Sequence, residues 1–360
     1  MTDKHQNYMQ ECFRLAKKGE GLVSPNPLVG AVLVRAGEII GRGYHHRLGG
    51  PHAEVECLRR ARGPIAGSTL FVNLEPCSHH GKTPPCADLI IRSGIRRVVV
   101  ATPDPNPRVA GRGIRQLRKA GVRVDVGVLE EDARVLNKVF FLHIVRRRPY
   151  VHLKIAQTLD GMIASRSGGP RWISSKESRV LVHRWRAQHD AVLVGVGTVI
   201  ADDPRLTVRL HKGRHPATVV LDGGLEVPLE AALFRAAREV FVIASQDALH
   251  RQSRKARKLE ELGVTLIGIE DSVCTLNLHR VMKSLYRHGI GSVLVEGGRE
   301  VFSQFLRRGP VDELSLFLAP TVMGHGIPAV TNVGGERSLV RFSRWSAMPV
   351  GRDILIQAFR

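Results

Sequence analysis

The stretch GGPHAEVECL, residues 49–58, decides the fold of the N-terminal half, because it predicts a helix that starts directly after a glycine turn. Pro51 suits the first helical position, since its φ angle is preorganised and its missing N–H would have no partner there. Val55, Leu58 and Ala61 then recur at helical spacing. His52 and Glu54 fall in the first turn. Taken alone, the stretch favours a plainer interpretation, a polar first turn with an acid near the helix dipole.

Strands and helices alternate around this stretch. The N-terminal residues predict an amphipathic helix with Met9, Phe13 and Ala16 on one side. This alternation is typical of an α/β unit with a largely parallel sheet. The predicted strands cover residues 29–34, 68–74, 96–102 and 122–128, and the predicted helices cover residues 52–62, 87–92 and 114–120.

A second α/β domain follows. The run of Arg146, Arg147 and Arg148 before Pro149 interrupts the pattern, so we place the boundary there and predict domains 1–148 and 149–360. A chain of 360 residues exceeds one ordinary core. In the second domain, strands are predicted at residues 150–156, 191–197, 216–222, 239–244, 264–269, 291–298 and 312–320, and helices at 175–187 and 278–289.

Composition narrows the class of protein. No apolar run approaches the ~20 residues that span a bilayer, and the N-terminus does not resemble a secretory signal, so we expect a cytoplasmic protein without a membrane partner. The odd number of cysteines argues against a disulfide framework. The formal charge of +21 favours anionic partners such as phosphates, nucleotides or nucleic acid. The five cysteines are Cys12, Cys57, Cys77, Cys86 and Cys274.

A second motif, LEPCSHHGKTPPC at residues 74–86, changes the interpretation of His52 and Glu54. His52, Cys77 and Cys86 supply three ligands for a tetrahedral zinc whose fourth position stays open to water, the layout of a catalytic site. Glu54 is then free to move a proton from that water to a leaving amine. The pattern matches the H-x-E…P-C…C signature of zinc deaminases. We expect no ligation from the neighbouring histidines, His45, His46, His79 and His80.

Glycines mark the ligand edge of the second domain. Gly195 and Gly197 follow one apolar strand, and Gly297 and Gly298 follow another, just before a helix whose N–H groups can hold a phosphate. Open α/β sheets bind ligands at the carboxyl ends of their strands. A full G-x-G-x-x-G fingerprint is missing, so an ordinary Rossmann site is not supported. Arg186 and Arg209 are candidates to bind a substrate phosphate. The alternative is that they are ordinary surface arginines.

With these motifs in place, nearly the whole sequence resembles the bifunctional riboflavin-biosynthesis deaminase/reductase family of bacteria. SPNPLVGAVLV (24–34), GGPHAEVECL and LEPCSHHGKTPPC look like its deaminase half; LKIAQTLDGMIA (153–164), GVGTVIADDPRLTVR (195–209) and VEGG (295–298) are similar to its reductase half. The resemblance implies a cytidine-deaminase-like α/β/α domain followed by a dihydrofolate-reductase-like α/β domain. It implies zinc-dependent deamination of 2,5-diamino-6-ribosylamino-4(3H)-pyrimidinone 5′-phosphate, then reduction of the ribosyl group to ribityl with NADPH. It also implies a homo-oligomer, a dimer or tetramer.

The same resemblance assigns roles to single positions. His52, Cys77 and Cys86 match its zinc ligands, and Glu54 matches its proton shuttle. Positions that match its NADP-binding residues are Ala156, Trp172, Thr198, Asp202, Gly223, Gly298, Arg299, Glu300, Val301, Phe302, Ser303 and Gln304. Positions that match its substrate-binding residues are Pro170, Arg186, Leu206, Arg209 and Glu296. Pro170 departs from the family's usual serine, and proline cannot donate a hydrogen bond.

Three alternatives remain open at this stage. The charge and the zinc motif also suit a zinc deaminase of nucleic acid or nucleosides with a basic auxiliary domain, although the long Cys77–Cys86 loop and the complete second domain count against it. A non-enzymatic basic binding module with a structural zinc would need a fourth protein ligand. The third alternative is a deaminase whose reductase step is weakened by Pro170.

Overall fold

The computed structural model of the chain describes residues 3–78, 84–107, 109–166, 172–236, 238–271, 276–333 and 339–360. The chain divides into two compact units, residues 1–147 and 148–360. Four residues named above, His79, His80, Pro170 and Cys274, lie outside the described residues.

Unit 1 contains a mixed sheet of order β2-β1-β3-β4-β5. Its strands are β1 Gly30–Arg35, β2 Glu38–Tyr44, β3 Thr69–Leu74, β4 Arg97–Thr102 and β5 Arg123–Val126. Its helices are α1 Asp3–Ala16, α2 Ala53–Arg59, α3 Cys86–Arg92, α4 Arg112–Lys119, α5 Glu130–Leu136 and α6 Lys138–Arg146.

The prediction of a largely parallel sheet in this unit holds for three of its strands and fails for β1. Only β3, β4 and β5 run parallel, while β1 is antiparallel to both β2 and β3. Ala36 and Gly37 both have positive φ angles, which closes β1 and β2 into a tight hairpin. Strand β2 was missed because Gly41 and Gly43 interrupt its apolar pattern. These glycines bring helix α2 against the strand: a Cβ at Gly43 would lie 2.3 Å from the Ala53 carbonyl oxygen.

The sequence prediction for Pro51 also needs correction. Helix α2 begins at Ala53, and His52 is its N-cap with an extended backbone, φ −71° and ψ 161°. Pro51 therefore precedes the cap by one residue and does not occupy the first helical position. From this position the His52 imidazole reaches the Cys77 and Cys86 thiols.

Unit 1 has an α/β/α arrangement. On one face of the sheet, Cys57 and Leu58 of α2, Ile90 of α3 and Leu117 of α4 pack into one apolar core. On the other face, α1 and α5 pack into a second core. Burial of these apolar side chains is the main favourable term that holds the helices against the sheet.

Unit 2 is built on a larger sheet of order β11-β10-β9-β8-β12-β6-β13-β16-β15. The strands of this sheet are β6 Tyr150–Thr158, β8 Ala191–Gly195, β9 Ala217–Leu221, β10 Val240–Ser245, β11 Val264–Ile269, β12 Ser292–Val295, β13 Glu313–Ala319, β15 Arg344–Val350 and β16 Asp353–Phe359. Two further strands of unit 2, β7 Met162–Ala164 and β14 Ile327–Pro328, form a separate antiparallel pair. The helices of unit 2 are α7 Lys176–Gln188, α8 Val196–Asp202, α9 Leu233–Ala236, α10 Gln246–Arg251, α11 Ser253–Glu261, α12 Leu278–Arg287 and α13 Arg299–Arg308.

The strands from β11 to β13 are parallel, and β16 and β15 extend the sheet as an antiparallel pair. Helices α12 and α13 pack on one face, and α7, α8, α10 and α11 pack on the other. The predicted strand 191–197 is two residues too long: β8 ends at Gly195, and Gly197 already belongs to helix α8. The carboxyl ends of β6, β8 and β12 therefore meet at one edge of the sheet.

No helix in the described ranges is both long enough and apolar enough to cross a membrane.

Candidate active sites

Three side chains gather at the start of two helices in unit 1. His52 is the N-cap of α2, Cys77 lies in the loop after β3, and Cys86 is the first residue of α3. The His52 Nδ1 atom lies 3.3 Å from the Cys86 Sγ and 3.6 Å from the Cys77 Sγ. The three ligand atoms all fall within 4.8 Å of one another. The structure thus brings together the three residues that the sequence predicted as metal ligands.

Their spacing fits a tetrahedral zinc. With Zn–N and Zn–S bonds of about 2.0 and 2.3 Å, neighbouring nitrogen and sulfur ligands should be about 3.6 Å apart. The chemistry of the donors fits as well, since one imidazole and two thiols are preferred zinc ligands. Among the described residues no fourth histidine, cysteine or carboxylate joins the group, which is the ligand count of a catalytic site and not of a structural one.

The surroundings favour negative charge on one of the two sulfurs, that of Cys77. A hydrogen bond from Cys86, joined by one from His52, lowers the pKa of the Cys77 thiol to about 4 despite its burial. The Cys86 N–H at the start of α3 also points at the Cys77 Sγ, 3.3 Å away. The hydrogen bond with Cys77 raises the pKa of His52 to about 9. The hydrogen bond with Cys77 and burial raise the pKa of the Cys86 thiol, so the cluster by itself stabilises one thiolate, at Cys77. Because zinc ligands bind deprotonated, a zinc ion would displace the protons of His52 and Cys86.

Glu54 lies two residues after His52, beside the same cluster. It sits in the first turn of α2 and is 3% exposed. Burial raises the pKa of its carboxyl, while the charge of the nearby His52 opposes that rise. A carboxyl group whose pKa is raised towards neutrality can both accept and return a proton.

Glu75 is a buried residue at this site that the sequence analysis missed. Its carboxylate accepts hydrogen bonds from the N–H groups of Asp104, Gly111 and Ile114, at 3.1, 2.8 and 3.2 Å. Glu75 therefore fixes the loop between β4 and α4 beside Cys77. Burial raises the pKa of Asp104 on this loop to about 6. The signal was present in the sequence, because Glu75 directly follows strand β3 within the zinc motif.

His45 packs beside the cluster without joining it. Its ring meets the ring of His52 edge-on at 5.7 Å. Its Nδ1 lies 2.9 Å from the Pro51 carbonyl oxygen, and its Nε2 lies 3.2 Å from the Asn26 amide nitrogen. These contacts fit a neutral imidazole that donates to Pro51 and accepts from Asn26, and burial lowers the pKa of this histidine accordingly.

In unit 2, the glycines that follow β8 and β12 pack against the first turn of α13. A Cβ at Gly195 would lie 2.7 Å from Val301, and one at Gly297 would lie 2.8 Å from it. A Cβ at Gly298, the N-cap of α13, would lie 3.3 Å from the Thr198 Oγ1. The structure therefore brings Thr198, Gly298 and Val301 together where the strands end. That they bind the cofactor stays a prediction.

The other predicted cofactor residues fall into two groups. Val301, Phe302 and Ser303 are buried, so a cofactor would meet this turn through main-chain N–H groups, of which the first few in any helix lack intrahelical partners. The remaining positions are more scattered. Trp172 is half exposed, with the Arg179 guanidinium 4.6 Å from its ring centre. Ala156 lies on β6, Asp202 ends α8, Gly223 follows β9, Arg299 and Glu300 form an ion pair, and Gln304 lies within α13.

The predicted substrate residues Arg186 and Glu296 are paired with each other. The Arg186 Nε and Nη2 donate to the Glu296 carboxylate at 2.6 and 2.8 Å. Burial opposes ionisation of Glu296, but Arg186 and the nearby Lys154 outweigh it and lower its pKa to about 2. The Nε and Nη2 atoms of Arg186 are thus occupied by Glu296. Binding of a substrate phosphate by Arg186 stays a prediction. Burial lowers the pKa of Lys154, a residue the family resemblance did not assign.

Two family models match the chain. One described as "Cytidine and deoxycytidylate deaminase zinc-binding region" matches residues 2–102, and one described as "RibD C-terminal domain" matches residues 149–356. The fold and the sites thus define a zinc-binding deaminase domain joined in one chain to a reductase domain, which confirms the expected fold class.

Full-length relatives give the more specific identity. The chain is 48% identical to the riboflavin biosynthesis protein RibD of Aquifex aeolicus over 323 residues, 89% of this chain and 88% of the relative. It is 37% identical to RibD of Escherichia coli over 372 residues, 99% of each chain. A crystal structure of a diaminohydroxyphosphoribosylaminopyrimidine deaminase/5-amino-6-(5-phosphoribosylamino)uracil reductase from Thermotoga maritima matches with a TM-score of 0.88 and 38% identity, covering 99% of this chain and 98% of that one. The chain belongs to the RibD family, the bifunctional deaminase/reductases of riboflavin biosynthesis.

Proposed function

We propose that unit 1 deaminates 2,5-diamino-6-ribosylamino-4(3H)-pyrimidinone 5′-phosphate and that unit 2 then reduces the ribosyl group of the product to ribityl with NADPH. The observation that carries the proposal is the cluster of His52, Cys77 and Cys86 with the buried Glu54 beside it. The activities named for the Thermotoga maritima protein, which aligns over nearly the whole chain, support the choice of substrate.

In the deaminase step, His52, Cys77 and Cys86 would hold the zinc ion. When bound, zinc supplies a Lewis acid that lowers the pKa of water from 15.7 to about 7. Glu54 would accept one proton of the attacking water and pass it to the ring nitrogen, and would then carry the second proton of that water to the amino group, so that the C–N bond breaks, ammonia leaves and the ring carbon becomes a carbonyl. Burial of Glu54 matches this role, because a raised pKa makes its carboxylate a stronger base towards the water it deprotonates.

In the reductase step, the main-chain N–H groups at the start of α13 would bind a phosphate of NADPH, and Thr198 lies against the same turn. Hydride transfer needs the cofactor held against the acceptor carbon and no unusual acid or base. Glu296 and Lys154 provide opposite charges close to where β6 and β12 end. The other predicted positions, Ala156, Trp172, Asp202, Gly223, Leu206 and Arg209, belong to this proposed site, and Pro170 remains an open departure from the family pattern.

We also expect a homo-oligomer and no nucleic-acid substrate. The charge of +21 keeps a nucleic-acid deaminase as the competing function. The presence of a complete RibD C-terminal domain favours the small phosphorylated pyrimidine.

The test is an assay of the full chain with the diaminopyrimidinone ribotide, with and without NADPH. Ammonia release without NADPH, followed by NADPH oxidation when the cofactor is added, is the expected result. Glu54→Gln should retain zinc, measured by elemental analysis, and lose ammonia release by at least about a hundredfold. Ammonia release that persists in Glu54→Gln rules out the proton-transfer role. Deamination of single-stranded RNA at a higher rate than the ribotide rules out the proposed substrate.

A further inference from the structure

The segment Leu206–Arg209 carries two of the predicted substrate-binding residues and lies outside every strand and helix of the described chain. Leu206, Thr207 and Val208 are nevertheless buried, at 4, 7 and 6% exposure. Leu206 has a φ angle of +53°, a conformation that costs a non-glycine residue energy and persists only where the surroundings enforce it. Something outside the segment therefore holds its backbone in place.

Side chains, not a neighbouring strand, hold this backbone. The Thr207 carbonyl accepts a hydrogen bond from the Arg186 Nη1 at 3.0 Å. The Val208 N–H donates to the His215 Nδ1 at 3.2 Å, and the Arg209 N–H donates to the His183 Nδ1 at 2.9 Å. Two of these anchors, His183 and Arg186, lie on one turn of helix α7.

We propose that His183 is a positioning residue of the reductase site, whose unprotonated Nδ1 holds the main chain of Arg209 so that the Arg209 guanidinium meets the anionic group of the substrate. This inference rests on the proposed function of unit 2. Arg209 is exposed, and its Nη1 also bonds the Thr207 hydroxyl, so its side chain is oriented from within the same segment. A phosphate ester is the substrate group that an arginine fork recognises best.

The charges around His183 keep its Nδ1 an acceptor. Arg186 on its own helix, Arg209 on the segment and Lys154 on β6 surround the imidazole, with Glu296 as the opposing charge. Burial and these cations lower the pKa of His183 to about 4. A protonated imidazole donates through both nitrogens and could not accept from Arg209. The neutral acceptor is thus maintained across the physiological pH range.

The alternative is that His183 only fills space between α7 and the rest of unit 2. The two roles differ in what they require of a substitute. Asparagine places its Oδ1 close to the position of the imidazole Nδ1 and keeps an acceptor, although it fills less volume. Leucine fills more of the volume and provides no acceptor. If His183 only packs, His183→Leu should be tolerated better than His183→Asn. If His183 positions Arg209, His183→Asn should be tolerated better than His183→Leu.

The experiment measures KM and kcat of NADPH oxidation for the full-length protein with the deaminated substrate, together with binding of ribose 5-phosphate to the NADPH-loaded protein by calorimetry. The variants are His183→Asn, His183→Leu and, as a matched control, His215→Leu, which removes the acceptor of the neighbouring Val208 N–H. Ammonia release from the unreduced substrate verifies that unit 1 stays intact.

We expect His183→Leu to raise both KM and the dissociation constant of ribose 5-phosphate by about tenfold or more, because it removes one hydrogen bond that positions a charged residue. The value of kcat should change by less than about threefold. His183→Asn should stay within about threefold of the wild type in both constants, and His215→Leu should leave both closer to wild type than His183→Leu does. Equal losses in His183→Asn and His183→Leu, or a loss confined to kcat, would overturn the proposal. If the wild type fails to oxidise NADPH, the proposed function of unit 2 fails, and ribose 5-phosphate binding still decides whether the acceptor at position 183 matters.

Discussion

The ion pair between Arg186 and Glu296 offers the sharpest test of the energetics of unit 2. The two side chains are 11 and 9% exposed and make two hydrogen bonds, at 2.6 and 2.8 Å. Arg186→Met preserves most of the length of the side chain and removes its charge. The substitution leaves the Glu296 carboxylate buried with Lys154 as its remaining cationic neighbour, and it also removes the bond to the Thr207 carbonyl.

The expected loss follows from what a buried charge costs. Removing one partner of a buried ion pair costs about 3–5 kcal/mol, mostly because the other charge is left uncompensated. Lys154 still faces Glu296 in the variant, so we expect the lower end of that range, about 3 kcal/mol. For a unit of this size each kcal/mol lowers Tm by roughly 2–4 °C, which gives a decrease of about 6–12 °C. Reductase activity should fall at the same time.

Thermal unfolding at pH 7 measures the effect, and the transition of unit 2 is identified as the one that NADPH shifts upward. The control is Arg251→Met, which breaks a surface pair with Asp247 whose side chains are 64 and 63% exposed; such pairs contribute about 0–1 kcal/mol. The double variant Arg186→Met/Glu296→Gln removes both charges and should regain at least half of the lost stability. If Arg186→Met melts within about 2 °C of the control, or if the double variant is less stable than the single one, the reasoning is refuted.

Three further predictions concern the metal, the cofactor turn and pH. A zinc chelator should abolish ammonia release and leave NADPH oxidation of the deaminated substrate intact; loss of both activities would contradict separate sites. Gly297→Ala should weaken NADPH binding, measured by fluorescence titration, because its Cβ would lie 2.8 Å from Val301; an unchanged affinity would argue against this role of the turn. The pKa of His183 is about 4 in the folded protein and 6.5 ordinarily, so the unfolded chain takes up the proton first as the pH falls. The contribution of His183 to the stability of unit 2 is therefore complete above pH 6.5 and is lost as the pH falls towards 4. His183→Asn should flatten the dependence of Tm on pH in that interval, and an unchanged slope would argue against it.

Short sequence motifs were sufficient to predict the ligands of the zinc centre. His52 and Glu54 are two residues apart, and Cys77 and Cys86 bracket a single loop, so two short motifs carry the whole ligand set. The parallel strands were predictable for a similar reason. A strand buried on both faces is a continuous apolar run, as in the burial of every residue of β8 and β10.

Elements that depend on partners distant in sequence were harder to predict. Strand β2 contains two glycines because helix α2 lies directly against it, and that packing cannot be inferred from the strand alone. The antiparallel pair β15 and β16 was missed for a related reason: β15 lies at the exposed edge of the sheet, so its residues have no apolar run to reveal it. The amino-acid pattern records burial, and an element with little burial leaves a weak pattern.

The two candidate sites differ in the same way, because local motifs define the first and contacts between distant residues define the second. In unit 1 the chemistry is set by residue types that few other roles require, so the sequence was enough to name them. In unit 2 the important facts are pairings across long separations: Arg186 with Glu296, and His183 with the main chain of Arg209. Arginine and histidine are common, and nothing in their neighbours along the chain says which partner each will meet. A site that works by positioning a cofactor and a substrate is encoded in tertiary contacts, and its residues acquire their roles only once the sheet brings β6, β12 and α7 together.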